Sequence, residues 1–527
     1  MVLKITLLVL FFAVMIGVGI YCRKSATDVH GFVLGGRNVG SWLTAFAFGT
    51  SYFSAVIFVG YAGQFGWKYG LASTWIGIGN ALIGSLLAWR VLGRRTRLLT
   101  QHLHSATMPD FFGARFSSTA LKVAASVIVF IFLIPYTASL YNGLSRLFGM
   151  AFGIDYTWCV VGMALLTAIY VLVGGYMATA VNDFIQGMIM LVGICAVIAA
   201  VLRFNGGFTE AVQSLSNIES ESAPALSGAF VSFFGPQPVY LLGVVLLTSL
   251  GTWGLPQMVG KFYAIRDENA IRKGTFISTV FAIIVAGGCY FLGGFGRLYS
   301  SVIEYTAAGT PVYDSIVPSM LQSLPDIMIA VVIILVLSAS MSTLSSLVLT
   351  SGSTLTLDII CPSVAKGGSK MSEKSVLLCI RMFVLFFIIV SSILAIIQAK
   401  SSVTFIAQLM GISWGALAGA FLAPFLYGLY WKRTSPASVW VSFIAGVVVM
   451  CLCMYCTFTH KTFLSPYFSS PINAGVLAMV LGLVIVPLVS FITPVRNREK
   501  VNDMFKCYER SVVVRATDTL VDGEEID

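Results

Sequence analysis

The chain has 527 residues, of which 57% are hydrophobic and only 10% are charged, with a formal net charge of +10 and a mean hydropathy of +0.91. These values exclude an ordinary soluble globular protein and place the chain among polytopic membrane proteins. No stretch has the composition of a soluble catalytic domain, so we expect a protein that is not an enzyme.

Apolar stretches of about 20 residues, the length that crosses a bilayer, recur along the whole chain. They number thirteen, which predicts an all-α polytopic membrane protein with about 13 transmembrane helices. We number them spans 1 to 13, and they are centred near residues 12, 52, 82, 132, 165, 190, 249, 285, 338, 387, 416, 446 and 484. Span 1 could be mistaken for a signal peptide. It lacks a cleavage site of small residues and precedes Arg23 and Lys24, so we interpret it as a retained span.

Lysine and arginine are distributed unevenly between the two sides of these spans. An external N-terminus places 23 of the 32 basic residues, Lys261 among them, on the cytoplasmic side and seven outside. Because basic loops are retained in the cytoplasm, this predicts a multi-pass protein of the cell membrane with an external N-terminus and a cytoplasmic C-terminus. The same bias accounts for the net charge without any nucleic-acid partner, and no obligate protein partner is predicted.

Two spans carry helix-breaking residues at membrane depth. Span 2 contains FGTSYFSAVIFVGYAG (48–63), and span 7 contains SLGTWGLPQMVG (249–260). Glycine and proline interrupt helices, and irregular backbone inside a membrane is tolerated only where it lines a cavity or is buried in protein. Spans 2–6 and 7–11 then form two sets of five that insert in opposite orientations. Inverted repeats with broken first helices indicate a secondary transporter with a site near the bilayer midplane.

Asp183 lies well inside the apolar stretch of span 6, unlike the other acidic residues. Carboxylates inside a membrane are costly and are functional candidates by default. The alternative is a helix-capping role near the cytoplasmic start of the span. The sequence leaves both interpretations open.

Span 9 continues into SASMSTLSSLVLTSGS (338–353), in which nine of sixteen residues carry a hydroxyl group. On a helix, the Ala339 carbonyl and the hydroxyls of Ser342, Thr343 and Ser346 share one face. Such neutral oxygens are hard ligands, and a divalent cation would need several carboxylates. The run therefore predicts a monovalent cation site, with further carbonyls supplied by the unwound backbone near residues 50–53.

Four stretches resemble motifs of the sodium:solute symporter family. They are FVLGGRNVGSW (32–42), YVLVGGYMA (170–178), NDFIQ (182–186) and SMSTLSS (340–346), the last closest to the proline-transporting members. Two departures are Tyr176, where the family usually has Leu, Met or Phe, and Asn182, where it has Thr. The resemblance covers about residues 30–430 and implies a LeuT-like core of two inverted repeats that works by alternating access.

The resemblance also implies ion sites. A sodium ion is expected at the carbonyls of Thr50, Phe53 and Ala339 and the hydroxyls of Ser342 and Thr343, the helix that the hydroxyl pattern had already indicated. A possible second sodium site involves Asp183, Ser345 and Ser346. Na⁺ is thus the expected coupling ion, and no catalytic residue is expected.

The solute is expected between the breaks in spans 2 and 7. The residues expected to line its site are Ser54, Ile57, Phe58, Trp253, Pro256 and Gln257. An amino acid such as proline or a small carboxylate is favoured, because sugar-transporting relatives have glutamine at the position of Ile57. The alternatives are another solute (pantothenate, sialic acid or a sugar) and, less favoured, a sodium sensor or channel on the same scaffold.

The expected organisation has four parts. Residues 1–35 form an additional N-terminal helix and cytoplasmic loop, and residues 36–430 form the transport core with repeats at about 40–203 and 237–428. Residues 431–495 form two C-terminal helices, and residues 496–527 form a charged cytosolic tail.

Overall fold

The computed structural model describes residues 2–306, 309–322, 324–368, 371–399, 406–459, 461–495 and 497–509. Across this part of the chain the secondary structure is helical, apart from two isolated bridges that join Val39 to Ile265 and Tyr305 to Pro311. Of the tail predicted from residue 496, only residues 497–509 are described.

The first half of the chain contains spans 1 to 6. Their α-helical segments are Val2–Cys22, Ser41–Tyr52, Ala62–Tyr69, Thr74–Gly79, Thr119–Phe152 and Tyr156–Phe204. Wider π-helical turns at Val56–Tyr61, Asn80–Leu87 and Trp89–Gly93 continue spans 2 and 3. Short helices at Val29–Leu34, Arg94–His102, Met108–Arg115 and Phe208–Ser216 lie between or beyond the spans.

The second half contains spans 7 to 13. Their helices are Pro238–Leu250, Pro256–Ala264, Glu268–Ala282, Gly288–Gly293, Asp326–Leu355, Glu373–Ala399, Ile406–Tyr430, Pro436–Phe458 and Pro471–Ile492. A π-helical turn at Ile283–Gly287 joins the two helices of span 8. Beyond span 9 the chain continues through a further π-helical turn at Thr356–Ile360 and the helix Cys361–Lys366. Short helices at Tyr313–Gln322 and Arg498–Lys506 complete this half.

By length and composition, ten continuous helices of the described chain can cross a membrane, or eleven with the bent pair Pro238–Gly254 and Pro256–Ala264. One of the ten, Tyr156–Phe204, has 49 residues. It would extend about 74 Å, more than twice the hydrocarbon thickness. Gly175 divides it, because its φ of 54° and ψ of −149° are outside the helical region and accessible only to glycine.

The run Val56–His102 is divided in the same way at Gly70, with φ of 60° and ψ of −140°. When Tyr156–Phe204 and Val56–His102 are each counted as two spans and the bent pair is added as one, the ten continuous helices become thirteen spans, the number predicted.

The hydroxyl-rich helix of span 9 lies at the centre of the bundle. It packs against spans 4, 5, 6 and 10 and against the first half of span 2. Spans 12 and 13 pack on span 11 at one side, and span 1 packs along the helix of spans 5 and 6. Large apolar side chains such as Leu165, Val192 and Phe276 point outward, where a protein that crosses a membrane meets lipid.

The loop before span 2 is tied to the end of span 7. The Val39 amide donates to the Ala264 carbonyl at 3.1 Å, and the Arg266 amide donates to the Val39 carbonyl at 3.0 Å. The buried guanidinium of Arg37 donates to the carbonyls of Ser105 and Thr100 at 2.7 and 3.3 Å. The motif FVLGGRNV therefore fastens the starting point of the first broken span to the end of the second.

Candidate functional site

The break in span 2 is a short non-helical stretch, Phe53 and Ser54, between two helical halves. The first half ends at Tyr52, and Phe53 follows with φ of −93° and ψ of 120°. The helix restarts when the amides of Ile57 and Phe58 both donate to the Ser54 carbonyl at 3.0 Å. Carbonyls at a helix C-terminus lack helical partners and carry partial negative charge, which favours a nearby cation.

The break in span 7 repeats this conformation. Leu255 has φ of −89° and ψ of 119°, and the chain bends there by 47° before Pro256 begins the second half. The two predicted interruptions thus coincide in backbone geometry as well as in their place within each set of five spans.

Five oxygen atoms converge where span 9 passes the break in span 2. The Thr343 hydroxyl lies 3.2 Å from the Thr50 carbonyl, 3.1 Å from the Ala339 carbonyl and 3.5 Å from the Phe53 carbonyl. The Ser342 hydroxyl lies 3.3 Å from the Thr50 carbonyl and 3.1 Å from the Ala339 carbonyl. All five residues are buried.

These separations fit the oxygen shell of a small cation. A hard cation ligated at about 2.4 Å, the value for Ca²⁺, which has nearly the ionic radius of Na⁺, holds neighbouring oxygens about 3.4 Å apart at right angles. The five residues predicted for the first sodium ion are therefore brought together, and their donor set contains no carboxylate. In the described part of the chain, no group of three His, Cys, Asp or Glu side chains could hold a metal ion.

A second polar cluster lies one helical turn further along span 9. The ammonium of Lys261 donates to the Ser346 hydroxyl at 2.9 Å and lies 3.6 Å from an Asp183 carboxylate oxygen. The Ser346 hydroxyl in turn lies 2.8 Å from the Ser51 hydroxyl. Asp183, Lys261 and Ser346 are all buried.

Of the residues predicted for a second sodium ion, Asp183 and Ser346 belong to this cluster through Lys261. Ser345 does not, because its hydroxyl donates to the Ser342 carbonyl of its own helix at 2.9 Å. The capping alternative for Asp183 also loses support. The residue lies about two turns beyond the break at Gly175, where the helix restarts.

Lys261 was not predicted as a site residue, because basic residues were assigned only to one side of the membrane or the other. The signal was present: Lys261 follows Pro256 within the mostly apolar stretch GLPQMVGKFYA, at the depth of the second helix half. Its ammonium lies over the ring of Tyr176, 5.4 Å from the ring centre. One of the two departures from the family motifs thus borders this lysine.

The predicted solute-site residues fall into separate groups. Pro256 and Gln257 line a small cavity of about 50 Å³ together with Lys261, Ser346 and residues 106–108, on the side predicted to face the cytoplasm. Trp253 does not line this cavity, and its indole nitrogen donates to the Ile83 carbonyl of span 3 at 3.1 Å. Ile57 and Phe58 are fully buried.

Ser54 belongs to a group with three aromatic residues, Tyr52, Tyr136 and Trp414, that were not predicted as site residues. The Tyr136 hydroxyl lies beside the Ser54 hydroxyl and the Trp414 indole nitrogen. The Trp414 ring centre is 5.9 Å from those of both Tyr52 and Tyr136. Among the described residues, the polar atoms of Ser54, Tyr136 and Trp414 make no hydrogen bond of ordinary geometry. Unpartnered polar groups at this depth are costly unless a ligand or water uses them.

A larger cavity of about 830 Å³ opens on the opposite side, which is predicted to be external. Its lining is rich in polar and aromatic side chains, including Gln64, Lys68, Glu221, Arg297 and Asn473. Cavities therefore approach the broken spans from both ends of the bundle.

Comparison with known proteins agrees with this geometry. A sequence model described as the sodium:solute symporter family matches residues 32–446. The osmoregulated proline transporter OpuE of Bacillus subtilis is 29% identical over 84% of this chain and 86% of its own length. The sodium/proline symporter 2 of Staphylococcus saprophyticus is 29% identical over 84% of each chain.

Among solved structures, a Na⁺-coupled sialic acid symporter in a substrate-bound outward-open state superimposes with a TM-score of 0.74 and 17% sequence identity. The match covers 94% of this chain and 99% of that one. This likeness confirms the predicted fold class, an all-α membrane protein with a LeuT-like core.

Proposed function

Because the chain belongs to the sodium:solute symporter family, we propose that it imports a small organic solute together with Na⁺ across the cell membrane by alternating access. The members of this family are transporters, and we propose no enzymatic reaction for the chain.

The observation that carries this proposal is the convergence of five buried oxygens at Thr50, Phe53, Ala339, Ser342 and Thr343. We assign these residues to the transported Na⁺, which would join the break in span 2 to the hydroxyl face of span 9. An ion that binds both elements stabilises the conformation in which they lie together. Binding of Na⁺ would thereby favour one side of the transport cycle.

For the solute we propose an amino acid such as proline or another small carboxylate. The sequence relatives named for proline transport support this class. The aromatic group of Tyr52, Tyr136 and Trp414 can cover an apolar ring or chain, and the Ser54 and Tyr136 hydroxyls can donate to a carboxylate. The second half of span 2 also starts at a helix N-terminus beside Ser54, whose partial positive charge favours a negative group.

The test is uptake by purified protein in proteoliposomes. Radiolabelled proline should accumulate under an inward Na⁺ gradient, and replacement of Na⁺ by K⁺ should abolish accumulation. Unlabelled competitors should include small carboxylates, pantothenate, sialic acid and glucose, since each represents one alternative solute. If no tested compound is taken up in a Na⁺-dependent way by well-folded protein, the proposed function is wrong.

We expect Ser54→Ala and Tyr136→Phe each to raise the half-saturation concentration for the solute about 2- to 150-fold. Each variant removes one hydroxyl hydrogen bond, and such bonds contribute about 0.5–1.5 kcal/mol, or up to about 3 kcal/mol when the partner is charged. The control is Ser139→Ala, on the helix of Tyr136, because the buried Ser139 hydroxyl donates to its own helix at 2.6 Å. Unchanged half-saturation in both test variants would exclude this group from the solute site.

A further inference from the structure

We propose that the Lys261 ammonium is a cation built into the chain that occupies the second ion position, so that each solute is coupled to a single Na⁺. This inference rests on the proposed function, since it specifies how many ions the symporter uses. It replaces the possible second sodium at Asp183, Ser345 and Ser346.

Two of the three predicted ligands of the second sodium ion, Ser345 and Ser346, already have partners within the protein. The Ser346 hydroxyl already contacts both the Lys261 ammonium at 2.9 Å and the Ser51 hydroxyl at 2.8 Å. The Ser345 hydroxyl is turned onto its own helix. Of the three predicted ligands, only the Asp183 carboxylate remains, and it faces the ammonium at 3.6 Å.

Electrostatic repulsion by the Lys261 ammonium also opposes a second sodium ion here. A sodium ion bound to Asp183 and Ser346 would lie within a few ångströms of the ammonium. Two unit charges about 4 Å apart, at the effective dielectric constant that describes protein interiors, would weaken binding roughly 1,000-fold. The ammonium instead balances the carboxylate, so the pair is neutral without a dissolved ion.

The surroundings of the Lys261 ammonium also favour a cation at this position. The Tyr176 ring accepts the ammonium on its face at 5.4 Å, a favourable cation–π arrangement. Of the three residues that the family usually has here, leucine and methionine offer no such face, whereas phenylalanine does. The cluster also adjoins the first ion site directly, because Ser51 follows Thr50 and Ser346 is one turn from Thr343.

The cluster is positioned to act on transport as well as on stability. Lys261 and Ser346 line the cavity of about 50 Å³ on the predicted cytoplasmic side. An ion that leaves the first site in that direction would pass the ammonium. A fixed positive charge there, compensated by Asp183, replaces a second ion that would otherwise have to bind and leave in every cycle.

The experiment measures the ratio of ²²Na⁺ to radiolabelled proline that enters proteoliposomes. For the unmodified protein we expect one Na⁺ per proline and a Hill coefficient for sodium of about one. In Lys261→Met the uncompensated Asp183 carboxylate becomes available, so the ratio should rise towards two and the Hill coefficient should rise with it. Lys273→Met, which removes an exposed lysine, is the control and should keep the original ratio.

A ratio of two in the unmodified protein would overturn the inference, and so would a well-folded Lys261→Met variant that transports with an unchanged ratio of one. If that variant does not fold, the ratio of the unmodified protein decides alone. Failure of the proposed function gives a different result, which is the absence of Na⁺-driven uptake in every protein tested.

Discussion

Replacement of Thr343 by alanine should raise the sodium concentration for half-maximal uptake roughly 10- to 100-fold. The variant removes the hydroxyl that lies within 3.5 Å of the Thr50, Phe53 and Ala339 carbonyls. A hydrogen bond to a charged group contributes about 1.5–3 kcal/mol, and the loss of one neutral oxygen ligand from a buried cation should be comparable. The maximal rate at saturating sodium should fall much less.

The matched control for this variant is Ser340→Ala on the same helix. The Ser340 hydroxyl is equally buried, but it donates to the Val336 carbonyl of its own helix at 2.8 Å. Its removal should leave the sodium dependence as it is. An unaltered sodium dependence in correctly folded Thr343→Ala protein would remove Thr343 from the ion site.

Replacement of Asp183 by asparagine should destabilise the protein by about 3–5 kcal/mol, because it leaves a buried ammonium without its partner. We expect a clearly lowered melting temperature in detergent and a collapse of uptake. Thermal unfolding followed by intrinsic fluorescence is a suitable measurement. The double variant Asp183→Asn/Lys261→Met removes both charges and should regain most of the lost stability.

Asp503→Asn gives the comparison for an exposed pair. Asp503 and Lys506 lie 3.2 Å apart, but both side chains are more than 60% exposed. Such pairs contribute at most about 1 kcal/mol, so this variant should unfold at the original temperature. If Asp183→Asn is as stable as the unmodified protein, or if the double variant is no better than the single one, the two charges do not form a structural unit.

The fold was predictable because membrane helices satisfy their own backbone hydrogen bonds, and each is recognisable in the sequence as a long apolar stretch. The interruptions were predictable too, since glycine and proline occur at matched places in spans 2 and 7. Each break contains an extended residue, Phe53 in one and Leu255 in the other. The shared face of Ala339, Ser342 and Thr343 on span 9, where we propose that Na⁺ binds, followed from helical periodicity, because these residues are three and four positions apart.

Contacts between helices that are distant in the sequence could not be predicted in this way. The hydrogen bond from the Trp253 indole nitrogen to the Ile83 carbonyl of span 3, for example, joins residues 170 positions apart, and whether Trp253 also lines the solute site stays a prediction. Tyr136 and Trp414 lie almost 280 residues apart in the numbering and meet only through tertiary packing. Lys261 was assigned to the cytoplasmic side of the membrane, and its depth in the bundle was not predicted. The uneven distribution of basic residues does not show how far a long side chain reaches into the bundle.

Coupling to a single Na⁺, as we propose for the chain with its buried Lys261 ammonium, would limit how strongly the cell can concentrate the solute. A membrane potential of 100 mV contributes about 2.3 kcal/mol per transported charge, which corresponds to an accumulation ratio of roughly 50 for a solute without net charge. A tenfold sodium gradient multiplies this to roughly 500 for one ion per cycle, and a second ion would square it. A lysine cannot dissociate, returns with the empty carrier and adds nothing to this driving force. With one Na⁺ per cycle, the carrier would spend less of the sodium gradient on each solute and would reach a lower final accumulation than a two-ion carrier.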